Sequence, residues 1–327
     1  MRKLIFTLAA MFACIAANAE TNPTVVITYN GTTATVTIPS EASSYVSCTS
    51  GTSSHVMINQ TSTADSNPGE IIYKLSGTSD NGEFYLTGEY KTTIQLDGLT
   101  LTNPDSTAIH IKNGKRIKIS MVSGTESTLV DGTTDAESKG CLHSKGHTEF
   151  VGKGTLNVTS NIRHAIYSKE YVEIKNCSIN VKGAKKDGIH CQQYFRMTSG
   201  AVSITNVEDD GIQVELKGET PTAETASEDE DTGNFYMAGG SLTINNVGDK
   251  CIKTYGTISY TGGTQNFTLT NVEENAKTTA IQTVRLSADD TEAVFDLNGR
   301  QLPKDALRKK GVYIIRSQQS TRKVIIR

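Results

Sequence analysis

The phrases His164-Ala165-Ile166-Tyr167, Asp187-Gly188-Ile189-His190 and Asp210-Gly211-Ile212-Gln213 recur at a spacing of 23 residues. A unit that short cannot bury an apolar face by itself. A fixed period in the twenties, with short alternating strands in every unit, therefore requires units that stack on one another as a solenoid. The next phrase, Asp249-Lys250-Cys251-Ile252-Lys253, places Ile252 at 40 residues from Ile212. The excess falls on the acidic stretch from Gly218 to Thr232, which lacks apolar periodicity and reads as a loop hung from an unbroken stack.

Each regular unit holds a strand such as Val172-Glu173-Ile174, a turn, a second strand such as Ser178-Ile179-Asn180-Val181, a polar corner and then the marker phrase. Alternate strand residues point inward, so the period predicts one column of Ile179, Val202 and Leu242 and another of Val181, Ile204 and Ile244, about 4.8 Å apart along the stack. The expected fold is all-β, a parallel β-helix, right-handed because crossover connections prefer that hand. Its rungs are expected over residues 82–277. Residues 20–81 form an N-terminal β cap, opened by a hairpin at Asn30-Gly31 between Val25-Val26-Ile27 and Val36-Thr37-Ile38. Residues 284–327, with Phe295-Asp296-Leu297-Asn298-Gly299-Arg300 and Gly311-Val312-Tyr313-Ile314, form a separate small C-terminal β unit.

Many Thr, Ser, Gly and Asn residues, with only 6 Pro and no Trp in 327 residues, suit β structure with tight turns. Residues 1–19 read as a signal peptide: Arg2-Lys3, an apolar run from Leu4 to Ala17, then Ala17-Asn18-Ala19 as a cleavage site, with Cys14 as a lipid-attachment alternative. That places the chain outside the cell or on a bacterial cell surface. The formal charge of −3 argues against a nucleic-acid partner, which needs a basic stripe. Cys141 and Cys251 share the small-residue column of Gly188 and Gly211, and Cys177 shares that of Gly154, Gly200 and Gly240, so they read as buried free thiols. Nucleophile elbows, phosphate loops and paired-histidine zinc motifs do not occur.

Stacking gathers Asp187, Asp209, Asp210 and Asp249 at one corner, with Glu208 beside them and Glu274 on the following rung. Carboxylates at rung spacing repel unless a cation compensates. Calcium, with its six to eight oxygen ligands, suits such a corner. A solvated corner with Lys186 and Lys250 as counter-ions is the other reading. One residue beyond each marker, the column His110, His143, Tyr167, His190, Gln213 and Lys253 faces outward and either lines an extended sugar chain or forms an ordinary solvent face. A lyase would need a base near a metal, and Arg163, Lys186, Lys250 and Lys253 are candidates by proximity alone.

The phrases Gly82-Glu83-Phe84-Tyr85-Leu86-Thr87-Gly88 and Ile94-Gln95-Leu96-Asp97-Gly98-Leu99-Thr100-Leu101, together with the repeated Asp-Gly-Ile corners, resemble a secreted carbohydrate-binding β-helix family once designated a domain of unknown function. The resemblance covers about residues 25 to 277. It implies a right-handed parallel β-helix shaped like pectate lyases, calcium at acidic corners, and binding of acidic or cellulosic polysaccharides without established catalysis. The family's Asp-Asp-Gly-Ile phrase is complete at Asp209-Asp210-Gly211-Ile212 and partial at Lys186-Asp187-Gly188-Ile189 and Asp249-Lys250-Cys251-Ile252. The tail, through Phe295-Asp296-Leu297-Asn298-Gly299-Arg300 and Lys323-Val324-Ile325, resembles type IX secretion sorting domains, which implies outer-membrane secretion machinery as a partner; a capping β unit is the alternative. The expectation is a monomeric, non-catalytic polysaccharide binder assisted by calcium, with a pectate-type lyase and a surface adhesin or spacer as alternatives.

Overall fold

The computed structural model describes residues 22–61, 70–135, 137–216, 232–267, 271–274, 276, 293–296, 301–302, 311–316 and 321–326. The expected signal peptide, most of the acidic stretch and the Asn298-Gly299 turn lie outside these residues.

Parallel pairing at the sequence period organises the chain into three ladders. The first runs through Ile71–Ser79, Thr92–Leu96, Arg116–Met121, His147–Gly152, Val172–Ile174, Tyr194–Met197, Asn234–Met237 and Ile258–Tyr260. Thr100–Thr102, Glu126–Val130, Thr155–Thr159, Ser178–Gly183, Ala201–Val207, Ser241–Val247 and Thr264–Asn266 make the second. The third carries the marker phrases, from His55–Gln60 and Glu83–Gly88 through Ile109–Ile111, Gly140–Ser144, His164–Ser168, Ile189–Cys191, Ile212–Val214 and Ile252–Thr254 to Val272–Glu273. One turn of chain visits the three ladders in that order, so each rung hydrogen-bonds to the rungs before and after it.

Register follows the period. Ile166, Ile189, Ile212 and Ile252 are successive partners, so the 40-residue interval leaves the ladder unbroken. Ile179 pairs with Val202 and Val202 with Leu242, while Val181, Ile204 and Ile244 form the adjoining column. These side chains are buried, as are Phe195 and Phe235, whose rings stack at 5.0 Å and 7°. Removing such like-on-like columns from water is the main stabilising contribution, about 25 cal/mol per Å² of apolar surface.

Small residues are required where two faces meet. A side chain at Gly188 would come within 2.6 Å of Ile204 Cγ2 and 2.7 Å of the Gly211 carbonyl oxygen, and Gly211 is hemmed in the same way by Ile244. Cys141 and Cys251 lie buried in this column and Cys177 beside Gly200, whose φ of 94° favours glycine. Among the described residues Cys48, Cys141, Cys177, Cys191 and Cys251 form no disulfide, and burial raises the thiols of Cys141, Cys177 and Cys191 above their ordinary range.

The hairpin forms as expected, Thr24–Asn30 pairing antiparallel with Thr33–Thr37 around Gly31. Thr24–Asn30 also pairs in parallel with Ile71–Ser79, so parallel pairing extends to the N-terminal side of residue 82. Alternation in Ile71-Ile72-Tyr73-Lys74-Leu75 buries Ile71, Tyr73 and Leu75, which lets this strand continue the inner columns. Toward the C-terminus, Ala293–Phe295, Gln301–Leu302, Gly311–Arg316 and Thr321–Ile326 form a four-stranded antiparallel sheet.

Candidate functional site

Asp187 lies at the bend before Gly188, just ahead of the third-ladder strand Ile189–Cys191, and is wholly buried. There His164, Asp187, Asp210 and Lys250 occupy one column, and each lower side chain accepts the amide N–H of the rung above. Asp187 N–H lies 3.3 Å from His164 Nδ1, Asp210 N–H donates to Asp187 Oδ1 at 3.1 Å, and Lys250 N–H donates to Asp210 Oδ1 at 2.9 Å. A buried amide without a partner costs about 1–3 kcal/mol, so this column stabilises the corner.

The remaining carboxylate oxygens meet basic groups. Asp187 Oδ2 lies 2.8 Å from His190 Nδ1 and 3.1 Å from His164 Nδ1, and His190 Nε2 lies 3.5 Å from Glu215. Burial alone would raise the Asp187 carboxyl, but the two histidines outweigh it and hold the group well below the usual carboxylate range. Burial likewise opposes a charge on His190; Asp187 and Glu215 outweigh it and raise the imidazole to about 9. His164 is lowered, chiefly by burial. Asp210 is pushed up to about 6 by burial, with its Lys250 amide bond opposing and the Asp187 charge adding. Its Oδ2 is buried and accepts no hydrogen bond of regular geometry, although Lys253 Nζ stands 3.3 Å away.

The expected metal and glycan residues thus merge into one network. Asp187, Asp209 and Asp210 come together, each offering an oxygen within 4.8 Å of the others. Asp249 is exposed and pairs instead with Lys250 at 2.7 Å and Lys253 at 3.6 Å. Glu208 pairs with Lys185, and Glu274 accepts the Ile258 N–H, so neither joins the corner. Lys253 and His190 compensate the buried charges; Lys250 compensates Asp249 only. Glu215 escapes a reading based on the marker columns because it stands three residues past Ile212, although its column mate Gln192 shows the offset to be polar.

The outward column forms a ladder of rings. Tyr85 and His110 meet edge to face at 5.1 Å, His110 and His143 stack at 4.4 Å, Tyr167 meets His143 edge to face at 5.0 Å, and Tyr167 and His190 stack at 5.2 Å. In the two stacked pairs, His110 with His143 and Tyr167 with His190, rung spacing makes the rings cover one another's faces. Tyr167 and His190 are buried, whereas Tyr85, His110, His143, Gln213 and Lys253 keep partial exposure. Burial lowers His110 to about 4 and His143 to about 3, so both are neutral hydrogen-bonding groups near pH 7. A second ring ladder, absent from the sequence expectations, runs along the first face as His147, Tyr171, Tyr194 and Tyr236, with Arg196 over the last two rings.

The corner makes stability pH-dependent. In the chelator-treated protein the favourable His190 charge contributes fully below pH about 6.5 and is lost as pH rises through about 9; a shift of that size corresponds to roughly 3 kcal/mol. Unfolding free energies at pH 7 and 10 should therefore converge between wild type and His190→Gln at the higher pH. A constant difference would contradict the assignment.

The described residues thus combine parallel rungs in three ladders with an outward ring ladder beside a charged corner. The chain matches carbohydrate-binding domain-containing proteins over residues 52–302 and belongs to that family. A carbohydrate-binding domain-containing protein of Acetivibrio thermocellus is 28% identical over 120 residues, covering 34% of this chain and 42% of that protein. The chain thus spans about two fifths of the length of that curated relative. The structure of the polysaccharide lyase-like protein from C. thermocellum, a gadolinium derivative, is similar with a TM-score of 0.56 at 20% identity, covering 78% of this chain and 100% of that one. At that identity the likeness concerns the fold.

Proposed function

We propose that this chain is a secreted or cell-surface, non-catalytic polysaccharide-binding protein. In this reading it is a right-handed parallel β-helix that takes acidic or plant cell-wall glycans along its third face, with the C-terminal sheet as a sorting unit for outer-membrane secretion. Family membership supports a polysaccharide partner, and the crossover rule supports the hand. The observation that carries the reading is the row Tyr85, His110 and His143, three partly exposed rings in successive rungs, a spacing that suits a ligand running along the stack. Affinity electrophoresis in gels containing polygalacturonate or a soluble cellulose derivative tests it. Tyr85→Ala and His143→Ala should each weaken retardation about tenfold, as expected for the loss of one contact worth about 1.4 kcal/mol. Unchanged retardation in both variants sinks this placement.

Catalysis is disfavoured by the state of the nearest amines. Burial opposes the Lys253 charge, but Asp210 and Asp249 outweigh it and raise the ammonium; the exposed Lys250 is raised by Asp249. A lyase base must be able to lose its proton. Incubation with polygalacturonate should yield no unsaturated uronate absorbance.

Calcium fits one side of the corner. Asp209 and the orphaned Asp210 Oδ2 are the oxygens that would hold it, while Asp187 is engaged by its histidines and Asp249 by its lysines. The ion would supply countercharge where Lys253 now does. Calorimetry should show weak binding, about 10⁻⁴–10⁻³ M as in extracellular modules, strengthened in Lys253→Met and abolished in Asp210→Asn. Weaker binding in Lys253→Met would exclude this competition.

A further inference from the structure

The nitrogen side of the same corner has its own ligand chemistry. His164 and His190 approach Asp187 from consecutive rungs, and the three residues are each more than nine-tenths buried. Each offers one ligand atom within 4.8 Å of the others, and Asp187 Oδ2 lies 3.1 Å from His164 Nδ1 and 2.8 Å from His190 Nδ1.

The hydrogen-bond pattern leaves a conflict among these atoms. Asp187 and Asp210 each accept the amide of the rung above, and His164 Nδ1 occupies the equivalent place under the Asp187 amide. If Nδ1 accepts that N–H, its lone pair also faces Asp187 Oδ2 at 3.1 Å, two acceptors with no proton between them. With the proton on Nδ1 instead, the Asp187 amide loses its acceptor. A cation shared by Nδ1 and Oδ2 takes the Nδ1 lone pair, so it removes the acceptor–acceptor contact at the cost of the 3.3 Å contact with the Asp187 amide.

The outer partners point the same way. Metal-bound imidazoles commonly direct their other nitrogen to a carboxylate that fixes the ring. Glu215 stands 3.5 Å from His190 Nε2, and the Tyr167 ring stacks on His190 at 5.2 Å. Beside the group lies Asp210 Oδ2, buried, without a hydrogen bond of regular geometry and 3.3 Å from Lys253 Nζ.

We propose that His164, Asp187 and His190 form a binding site for a divalent first-row transition ion of the zinc type, with Glu215 orienting His190. Two imidazoles and one carboxylate favour zinc, cobalt, nickel or copper over calcium, which prefers oxygen ligands throughout. Three protein ligands leave positions for water or a ligand oxygen. This site goes beyond polysaccharide binding and does not depend on it.

Cobalt(II) titration of the purified chain, followed by visible absorption, is the test. The expected result is one equivalent of bound cobalt with ligand-field bands, displaced by zinc and retained in excess calcium. His190→Ala should abolish the bands, and so should His164→Gln, which keeps an acceptor for the Asp187 amide. Glu215→Gln, altering a half-exposed residue outside the ligand set, should weaken binding about 10–100-fold. Asp209→Asn should leave the bands unchanged, separating this site from the calcium side. Absence of bands in the wild type, or equal bands in both histidine variants, overturns the proposal.

Discussion

Asp187→Ala is expected to destabilise the metal-free chain by about 3–5 kcal/mol, the range for removing one partner of a buried ion pair. The substitution strips the acceptor from the Asp210 amide and removes the oxygen between His164 and His190. His190 would then keep its charge only through Glu215 at 3.5 Å, too weak a contact to offset burial. Its proton should leave near neutrality, and the alkaline loss of stability should vanish with it. Asp187→Asn should cost less, because the amide oxygen can still accept from Asp210. Denaturant unfolding at pH 7 measures both, and a loss below about 1 kcal/mol for the alanine variant would show that the corner does not hold the rungs together.

Phe195→Ala should have a comparable effect for a different reason. Phe195 is wholly buried, stacked on Phe235 and paired in register with Val172 on the preceding rung. The backbone ladders fix the height of each rung, so neighbouring side chains cannot move along the stack to fill the space. Truncations of this kind cost about 3–5 kcal/mol when the cavity persists. Phe195→Leu, which keeps most of the volume, should cost under about 1.5 kcal/mol. Because each rung touches only its neighbours, the loss should concentrate there and broaden the denaturant transition. A small, equal shift for both variants would mean that the column collapses around the gap.

The apolar architecture was legible because one number determines it. A period of 23 aligns Ile179 with Val202 and Ile189 with Ile212, and a ladder pairs whatever stands at equal height. The small-residue column was legible for the same reason, since Cys141, Cys251, Gly188 and Gly211 share a position that excludes bulk. The corner was only half legible. Periodicity gives height but not direction beyond a bend, so Asp187 and His190 appeared to belong to separate columns. The turn at Gly188 brings them within 2.8 Å. Counter-ion choice was also hidden: Lys253, assigned by spacing to the glycan row, reaches across to Asp210. Ring orientation depends on packing between rungs, which is why a column expected to face outward is partly a self-covered stack, with Tyr167 and His190 buried.

The in-register pairing of Ile212 with Ile252 has an evolutionary consequence. Leu216 and Gly233, described residues on either side of the acidic stretch, lie side by side: a Cβ at Gly233 would touch Leu216 Cδ2 at 2.8 Å. Between two such neighbouring ends, lengthening a flexible connection costs only loop-closure entropy, about 0.6 kcal/mol per doubling of length. Descendants of this gene can lengthen, shorten or exchange the segment next to Glu215 while every core contact stays in place. The scaffold is thereby free to explore new ligands at this junction without renegotiating its own stability.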